Sequence, residues 1–159
     1  MKKLLWSIPL FLFTLVASCS DSDDYENLKN HPIVGEWYLY NIDYQLEVSD
    51  DIVKDKIVED LEETIRKANN SDLTILFDEE GHFSTSSRYG DIGEGTFKIS
   101  KDKLIMSGDG ESETFYFKVD FNTMTISEDQ TDFFRKKSTD QDLSKIVHFV
   151  EVNQYFRRN

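Results

Sequence analysis

Apolar and polar positions alternate with a period of two along most of this chain, and one long stretch with a helical repeat interrupts them. The first alternating run is Ile33-Val34-Gly35-Glu36-Trp37-Tyr38-Leu39-Tyr40-Asn41-Ile42-Asp43-Tyr44. It is rich in the aromatic and branched residues that suit a pleated, half-buried surface, and it predicts a long strand. On an unbroken strand Tyr38, Tyr40, Ile42 and Tyr44 share one face, while Trp37, Leu39, Asn41 and Asp43 share the other. The faces are unequal, so either the strand bends and its buried face changes along it, or one face is covered from outside the sheet.

The helical stretch follows, over Asp50 to Ala68. Val53, Ile57, Leu61, Ile65 and Ala68 recur at helical spacing, and most other positions are charged, which predicts an amphipathic helix. Ser49 or Asp50 can cap its start, and Asn69-Asn70 can end it in a left-handed turn. The polar face carries Asp51, Asp55, Glu59, Asp60, Glu62 and Glu63. Such a face argues against a membrane surface and for packing of the apolar stripe on the sheet.

From Leu73 onward short alternating runs are separated by turn residues. The predicted strands are Leu73 to Phe77, His82 to Arg88, Gly95 to Ser100, Lys103 to Ser107, Glu113 to Phe121, Met124 to Ser127 and Asp132 to Lys137, with hairpin-length links between most of them. With the first run this makes eight strands. The expected fold is mainly β, an eight-stranded antiparallel up-and-down barrel with one helix between its first two strands. The tail, Asp140 to Phe156, places Leu143, Ile146, Val147 and Val150 on one helical face after a Ser138-Thr139 or Asp140 cap. A C-terminal helix is expected there, and the many branched residues keep an extra strand open as the alternative.

The N-terminus has a different pattern. Lys2 and Lys3 lead an apolar run from Leu4 to Ala17 that is too short to span a bilayer comfortably and ends in small residues before Cys19, the only cysteine of the chain. This is the form of a secretory signal peptide. Val16-Ala17-Ser18-Cys19 resembles a lipobox, where cleavage leaves a diacylglyceryl cysteine as the first residue of the mature protein. The resemblance implies lipidation at Cys19, and several acyl chains hold a protein at a membrane permanently. Ser20-Asp21-Ser22-Asp23-Asp24-Tyr25-Glu26 then reads as a solvated acidic tether. It also resembles the acidic signal of outer-membrane lipoproteins of the Bacteroidetes, so the expected location is the outer membrane, at its periplasmic face or the cell surface.

Charge narrows the partners. The 159 residues carry 31 acidic against 18 basic side chains, a formal charge of −13, and removal of the signal peptide takes two lysines and no acid. Nucleic acid and anionic headgroups are poor partners on this ground, and no nucleic acid is expected. The expected division is a signal peptide over 1–18, a tether over 19–31, one barrel domain over 32–137 and a tail over 138–159.

The span from Pro32 to Lys137 resembles the lipocalin-like domains of Bacteroidetes lipoproteins, within the calycin group. The residues that carry the likeness are Gly35-Glu36-Trp37, matching the Gly-x-Trp of the first lipocalin strand, and Arg135 in the expected last strand. The resemblance implies that Gly35, Trp37 and Arg135 close one barrel end, with Arg135 stacked on Trp37 as a cation–π pair. The helix after the first strand departs from that family, and no Thr-Asp-Tyr motif is evident.

Candidate chemistry is sparse. His31, His82 and His148 show no metal-ligand spacing, so no metal and no cofactor is expected. No Gly-x-Ser-x-Gly is present. Asp109-Gly110-Glu111 and Asp91 with Glu94 fall short of a calcium loop and read as solvated turns. A non-enzymatic role is therefore expected, and two classes remain. One is a carrier whose barrel holds a small apolar ligand, with Phe83, Phe97, Phe115 and Phe117 among its lining residues unless they simply fill the core. The other is an interaction module or inhibitor that engages an envelope protein through its tyrosine-rich strand or loops.

Overall fold

The alternating runs fold as a closed barrel in which every strand pairs antiparallel with its neighbour in sequence and the last returns to the first. The structure, a computed structural model, describes residues 25–137 and 143–158; the signal peptide, Cys19, the acidic stretch through Asp24 and the Ser138-Thr139 or Asp140 cap lie outside the described residues. The strands are β1 (Gly35–Val48), β2 (Thr74–Phe77), β3 (His82–Ser87), β4 (Gly90–Ser100), β5 (Lys103–Gly108), β6 (Glu111–Asp120), β7 (Thr123–Asp129) and β8 (Val147–Arg157). Helix α1 (Asp51–Asn69) joins β1 to β2, and a short helix α2 (Thr131–Lys136) lies between β7 and β8. No helix among the described residues is long and apolar enough to cross a membrane.

The eighth strand does not come from the expected segment. Asp132 to Lys136 is helical, and the tail, expected as a helix with a strand as the alternative, supplies β8, which closes the barrel between β1 and β7. In a strand the adjacent Phe133 and Phe134 would point to opposite faces, one of them into water. In α2 their rings meet edge to face at 5.0 Å. Asp129 starts this turn by accepting a hydrogen bond from the Thr131 amide at 2.9 Å. In β8, Val150, Val152, Gln154 and Phe156 alternate on the inner face, and the polar Gln154 hides the period of two. The barrel therefore runs past Lys137 and ends at Arg157.

The unequal faces of β1 result from a bulge. Pairing with β8 slips between Leu39 and Asn41. The inward series thus passes from Gly35, Trp37 and Leu39 to Ile42, Tyr44, Leu46 and Val48. A bulge adds one residue to one strand, bends it and reverses the parity of every side chain beyond it. Here it turns the upper half of β1 toward α1.

The apolar stripe of α1 packs on that half. Ile57, Leu61 and Ala68 are buried, with Val53 and Ile65 packed beside them. Asp50 caps the helix by accepting from the Val53 amide at 3.0 Å. At the other end Asn70 is not left-handed, with φ −91°, and its side chain instead donates to the Arg66 carbonyl. Burial of side chains such as Ile57 and Leu61 contributes roughly 1.5–3 kcal/mol each. Helices α1 and α2 cover one end of the barrel. Residues 25–34 cross the other end, where Ile33 is fully buried and the Glu26 amide donates to the Ile99 carbonyl at 2.9 Å.

Candidate functional site

The alternation of β6 directs Glu113, Phe115, Phe117 and Val119 inward, and that of β7 directs Met124, Ile126 and Glu128 inward. Two acids thus enter a largely apolar barrel interior, which also holds the buried Thr85 and Gln154. Glu128 is buried, accepts a hydrogen bond from Gln130 and is hydrogen-bonded to Glu113. The second carboxyl oxygen of Glu113 is also buried and has no hydrogen-bond partner. Burial, and then the neighbouring Glu128 charge, push the Glu113 carboxyl up to about 8. Burial also pushes Glu128 up to about 7, opposed by the hydrogen bonds from Gln130 and Glu113. Both shifts favour retention of a proton by the pair, because two adjacent carboxylates in a low-dielectric space repel each other.

Glu128 faces a cavity of about 190 Å³ between the barrel mouth and the two helices. Its apolar lining is Ile42 and Val152 from the strands, Leu61 and Ile65 from α1, and Phe133 and Phe134 from α2. Glu128 and Gln154 supply polar groups on the barrel side, and Asp60, Glu63, Lys67 and Lys137 carry charge at the helix side. An ion pair between Asp60 and Lys137 bridges α1 and α2 beside it. At about 30 Å³ per water the space equals roughly six waters, below the usual range for ligand pockets. It therefore suits a small molecule with an apolar body and one head that donates hydrogen bonds. A larger guest requires α1 to lift. A shallower depression of about 510 Å³, lined by Tyr44, Arg66 and Asn70, shares Ile42 and Ile65 with this cavity.

The four expected lining phenylalanines are elsewhere. Phe97 and Phe115 are buried at 2% exposure, and Phe77 packs against Phe97 at 4.8 Å and Phe83 at 6.5 Å. Phe117 meets the His31 ring at 6.3 Å near the opposite end. They fill the barrel, and the aromatic walls of the cavity are Phe133 and Phe134. Phe83 also borders a broad groove on the outside of β2–β5, with Leu76, Gly95 and Gly108.

The expected closure set is placed in part. Trp37 is fully buried at the end crossed by residues 25–34, and its indole N–H donates to the Ile33 carbonyl at 2.7 Å. Gly35 has φ +135°, a conformation open to glycine. Arg135 is not over Trp37. It sits on α2 and donates to the carbonyls of Val147 at 2.8 Å and His148 at 3.3 Å, fastening α2 to the start of β8. The cation over Trp37 is Arg158, just past β8. The correction follows from the segment that forms the last strand.

His31 pairs with Glu26 at 3.3 Å and His82 with Asp78 at 3.2 Å. No group of three potential metal ligands occurs among the described residues. Of Asp91 only the backbone is described, within β4. The carboxyl pair was missed by reasoning from spacing along the chain, because Glu113 and Glu128 lie on different strands. The available signal was an acid within an alternating apolar series, in Glu113-Phe115-Phe117 and in Met124-Ile126-Glu128.

No family model matches the chain, and no curated protein matches it. Among solved structures it is similar to the crystal structure of a DUF4847 family protein from Bacteroides vulgatus ATCC 8482. The identity is 14%, the match covers 79% of this chain and 92% of that one, and the TM-score is 0.40.

Proposed function

We propose that the protein is a lipid-anchored lipoprotein of the outer membrane whose lipocalin-like barrel binds a small amphipathic molecule, without catalysis, beneath α1 and α2. The observation that carries the binding reading is the cavity itself, with six apolar lining residues, with Glu128 and Gln154 on its barrel side and with charged groups at its helix side. A space that only completed the core would have no use for a buried acid, which is costly to desolvate. The ligand chemistry that fits is an apolar body with an amine or hydroxyl head able to donate to Glu128.

The lipocalin-like reading is supported by the eight-stranded closed barrel, by Gly35-Glu36-Trp37 at its first strand and by an arginine over the Trp37 ring. The anchor is supported by the sequence alone, through the short apolar run and Val16-Ala17-Ser18-Cys19.

A second reading, an interaction module for an envelope protein, is favoured by the outer face of β1 and β8. There Tyr40 is half exposed, Tyr155 lies 6.3 Å from it, the Arg157 guanidinium stands 5.9 Å over the Tyr40 ring, and Tyr155 donates to Asp43. The bulge removes Tyr44 from this face, so the patch is smaller than the tyrosine run implies.

Native mass spectrometry of residues 26–159, purified gently from a source-cell extract, tests the choice. A retained small-molecule mass that disappears in Leu61→Trp, which fills the cavity from α1, supports the carrier. An empty chain that co-purifies with an envelope protein, and loses it in Tyr40→Ala, overturns the carrier for the module.

A further inference from the structure

Phe121 is 92% exposed, the most open large apolar side chain among the described residues. It occupies the turn between β6 and β7 with φ +49°. Bulky residues seldom adopt that conformation, and turn chemistry favours Gly, Asn or Asp there. Neither local backbone preference nor packing in the barrel accounts for a phenylalanine at this point.

The topology fixes which end of the molecule Phe121 occupies. Strands alternate in direction around the barrel, so the β6–β7 turn shares an end with the β2–β3 and β4–β5 turns, the start of β1 and the finish of β8. The N-terminal segment arrives at that same end. The Glu26 amide is bound to the Ile99 carbonyl near the close of β4, and the Tyr25 ring lies 4.5 Å from the Lys98 ammonium. Cys19 is six residues before Tyr25. Six residues reach at most ~20 Å when fully extended. A chain anchored at Cys19 therefore holds this end of the barrel close to the bilayer.

Charge is distributed to match. The acids on the polar face of α1, Asp51, Asp55, Glu59, Glu62 and Glu63, lie at the far end, between the close of β1 and the start of β2. Beside Phe121 lie the exposed Lys101, Lys103, Lys118 and Arg157 with Asp102 and Asp120, while the β2–β3 turn at the same end carries Asp78, Glu79 and Glu80. An anionic lipid surface repels the first end more strongly than the second, where lysine and arginine offset the acids.

We infer that this end of the barrel seats on the lipid surface, with the Phe121 ring inserted at the boundary of headgroups and acyl chains and with Lys101, Lys103, Lys118 and Arg157 reaching lipid phosphates. The inference rests on the anchor at Cys19 proposed above. A single ring adds too little for binding by itself, but on a chain already tethered it fixes orientation. The end with α1 and the covered cavity then points away from the membrane, toward diffusing ligands.

The test uses the chain beginning at Cys19, coupled through that thiol to a maleimide lipid in vesicles of phosphatidylethanolamine and phosphatidylglycerol, with and without brominated acyl chains. Phe121→Trp is compared with Tyr89→Trp, an exposed site on the β3–β4 turn at the opposite end. Each is read against the unsubstituted chain to remove the Trp37 emission. The expected result is a blue shift and about twofold quenching of the tryptophan in Phe121→Trp, with no change in Tyr89→Trp. Equal quenching of both, or of neither, overturns the inference. The acyl mass on the Cys19 peptide of the chain taken from cell membranes tests the anchor separately. A missing anchor thus shows as an unmodified peptide, and an unseated barrel as an unquenched tethered chain.

Discussion

The Arg158 guanidinium lies 4.2 Å from the centre of the Trp37 ring. It also donates hydrogen bonds to the carbonyls of Pro32 and Val34, while the Trp37 indole donates to the Ile33 carbonyl between them. One arginine thus ties the finish of the last strand to the segment that leads into the first. The tie adds to the antiparallel ladder of β1 and β8, which runs from Tyr38 opposite Arg157 to Val48 opposite Val147.

Replacing Arg158 by alanine removes a cation–π contact and two charge-assisted hydrogen bonds, and it leaves the Pro32 and Val34 carbonyls without this donor. A loss of about 2–4 kcal/mol is expected. Arg158→Lys should recover part of it, since an ammonium keeps the charge but not the planar fork. Urea unfolding followed by Trp37 emission measures this. Arg135→Ala, acting at α2, should leave the native Trp37 spectrum unchanged. A loss below about 0.5 kcal/mol for Arg158→Ala would remove its role in closure.

Gly95 lies in β4 directly opposite Phe83 of β3. A Cβ at this position would stand 2.1 Å from the Ser107 carbonyl oxygen and 2.8 Å from the Phe83 ring. The first of these is backbone, which cannot move aside without breaking the pairing of β4 with β5. Gly95→Ala should therefore destabilise the fold by more than about 3 kcal/mol. Trimming the ring with Phe83→Leu should fail to rescue it. Rescue by that second change, in thermal melts, would show that the ring and not the backbone sets the limit.

These two positions illustrate what can be read in advance. Strand number, barrel closure and the helix after β1 follow from the periods of two and of about 3.6, and the Asp50 cap follows from local chemistry. The identity of the last strand does not, because Val147 and Val150 satisfy a helical stripe as well as a strand, and Gln154 masks the alternation that would decide between them. Arg135 was the wrong cation for the same reason: a partner across the seam is known only once the closing strand is known. The bulge at Tyr40 was legible as two unequal faces, although its location depended on the pairing partner. The carboxyl pair was hidden more deeply, since register across β6 and β7 brings together two acids from separate series.

The ion pair between Asp60 and Lys137 joins α1 to α2 beside the cavity, and both side chains are more than a third open to solvent. A pair so exposed contributes about 0–1 kcal/mol to stability. Lys137→Ala should thus leave the unfolding midpoint nearly unchanged while it loosens α1. Hydrogen exchange of the α1 amides, faster in the variant than in the parent, is the expected sign. Unchanged α1 exchange would mean that Ile57 and Leu61 alone hold the helix.

Glu113 and Glu128 give the fold a pH dependence of definite direction. Their carboxyls are raised to about 8 and about 7, against 4.5 for an ordinary glutamate. Between about pH 4.5 and pH 8 the folded chain therefore binds more protons than the unfolded chain. The contribution of the pair is fully present below the unfolded value and is lost as pH rises through the folded values, because burial opposes the second negative charge. Thermal midpoints should fall as the pH is raised from about 5 to about 9. Glu113→Gln keeps the shape and the hydrogen bond to Glu128 but cannot ionise. It should match the parent near the acid end of this range and exceed it at the alkaline end, so the difference between the two chains grows with pH. A difference that stays constant across the range would mean that the pair does not share a proton. In the same window a cationic ligand should bind more tightly as the pair deprotonates, whereas a neutral alcohol should not. Titrating both probes against the parent and Glu128→Gln separates the charge of the site from its shape.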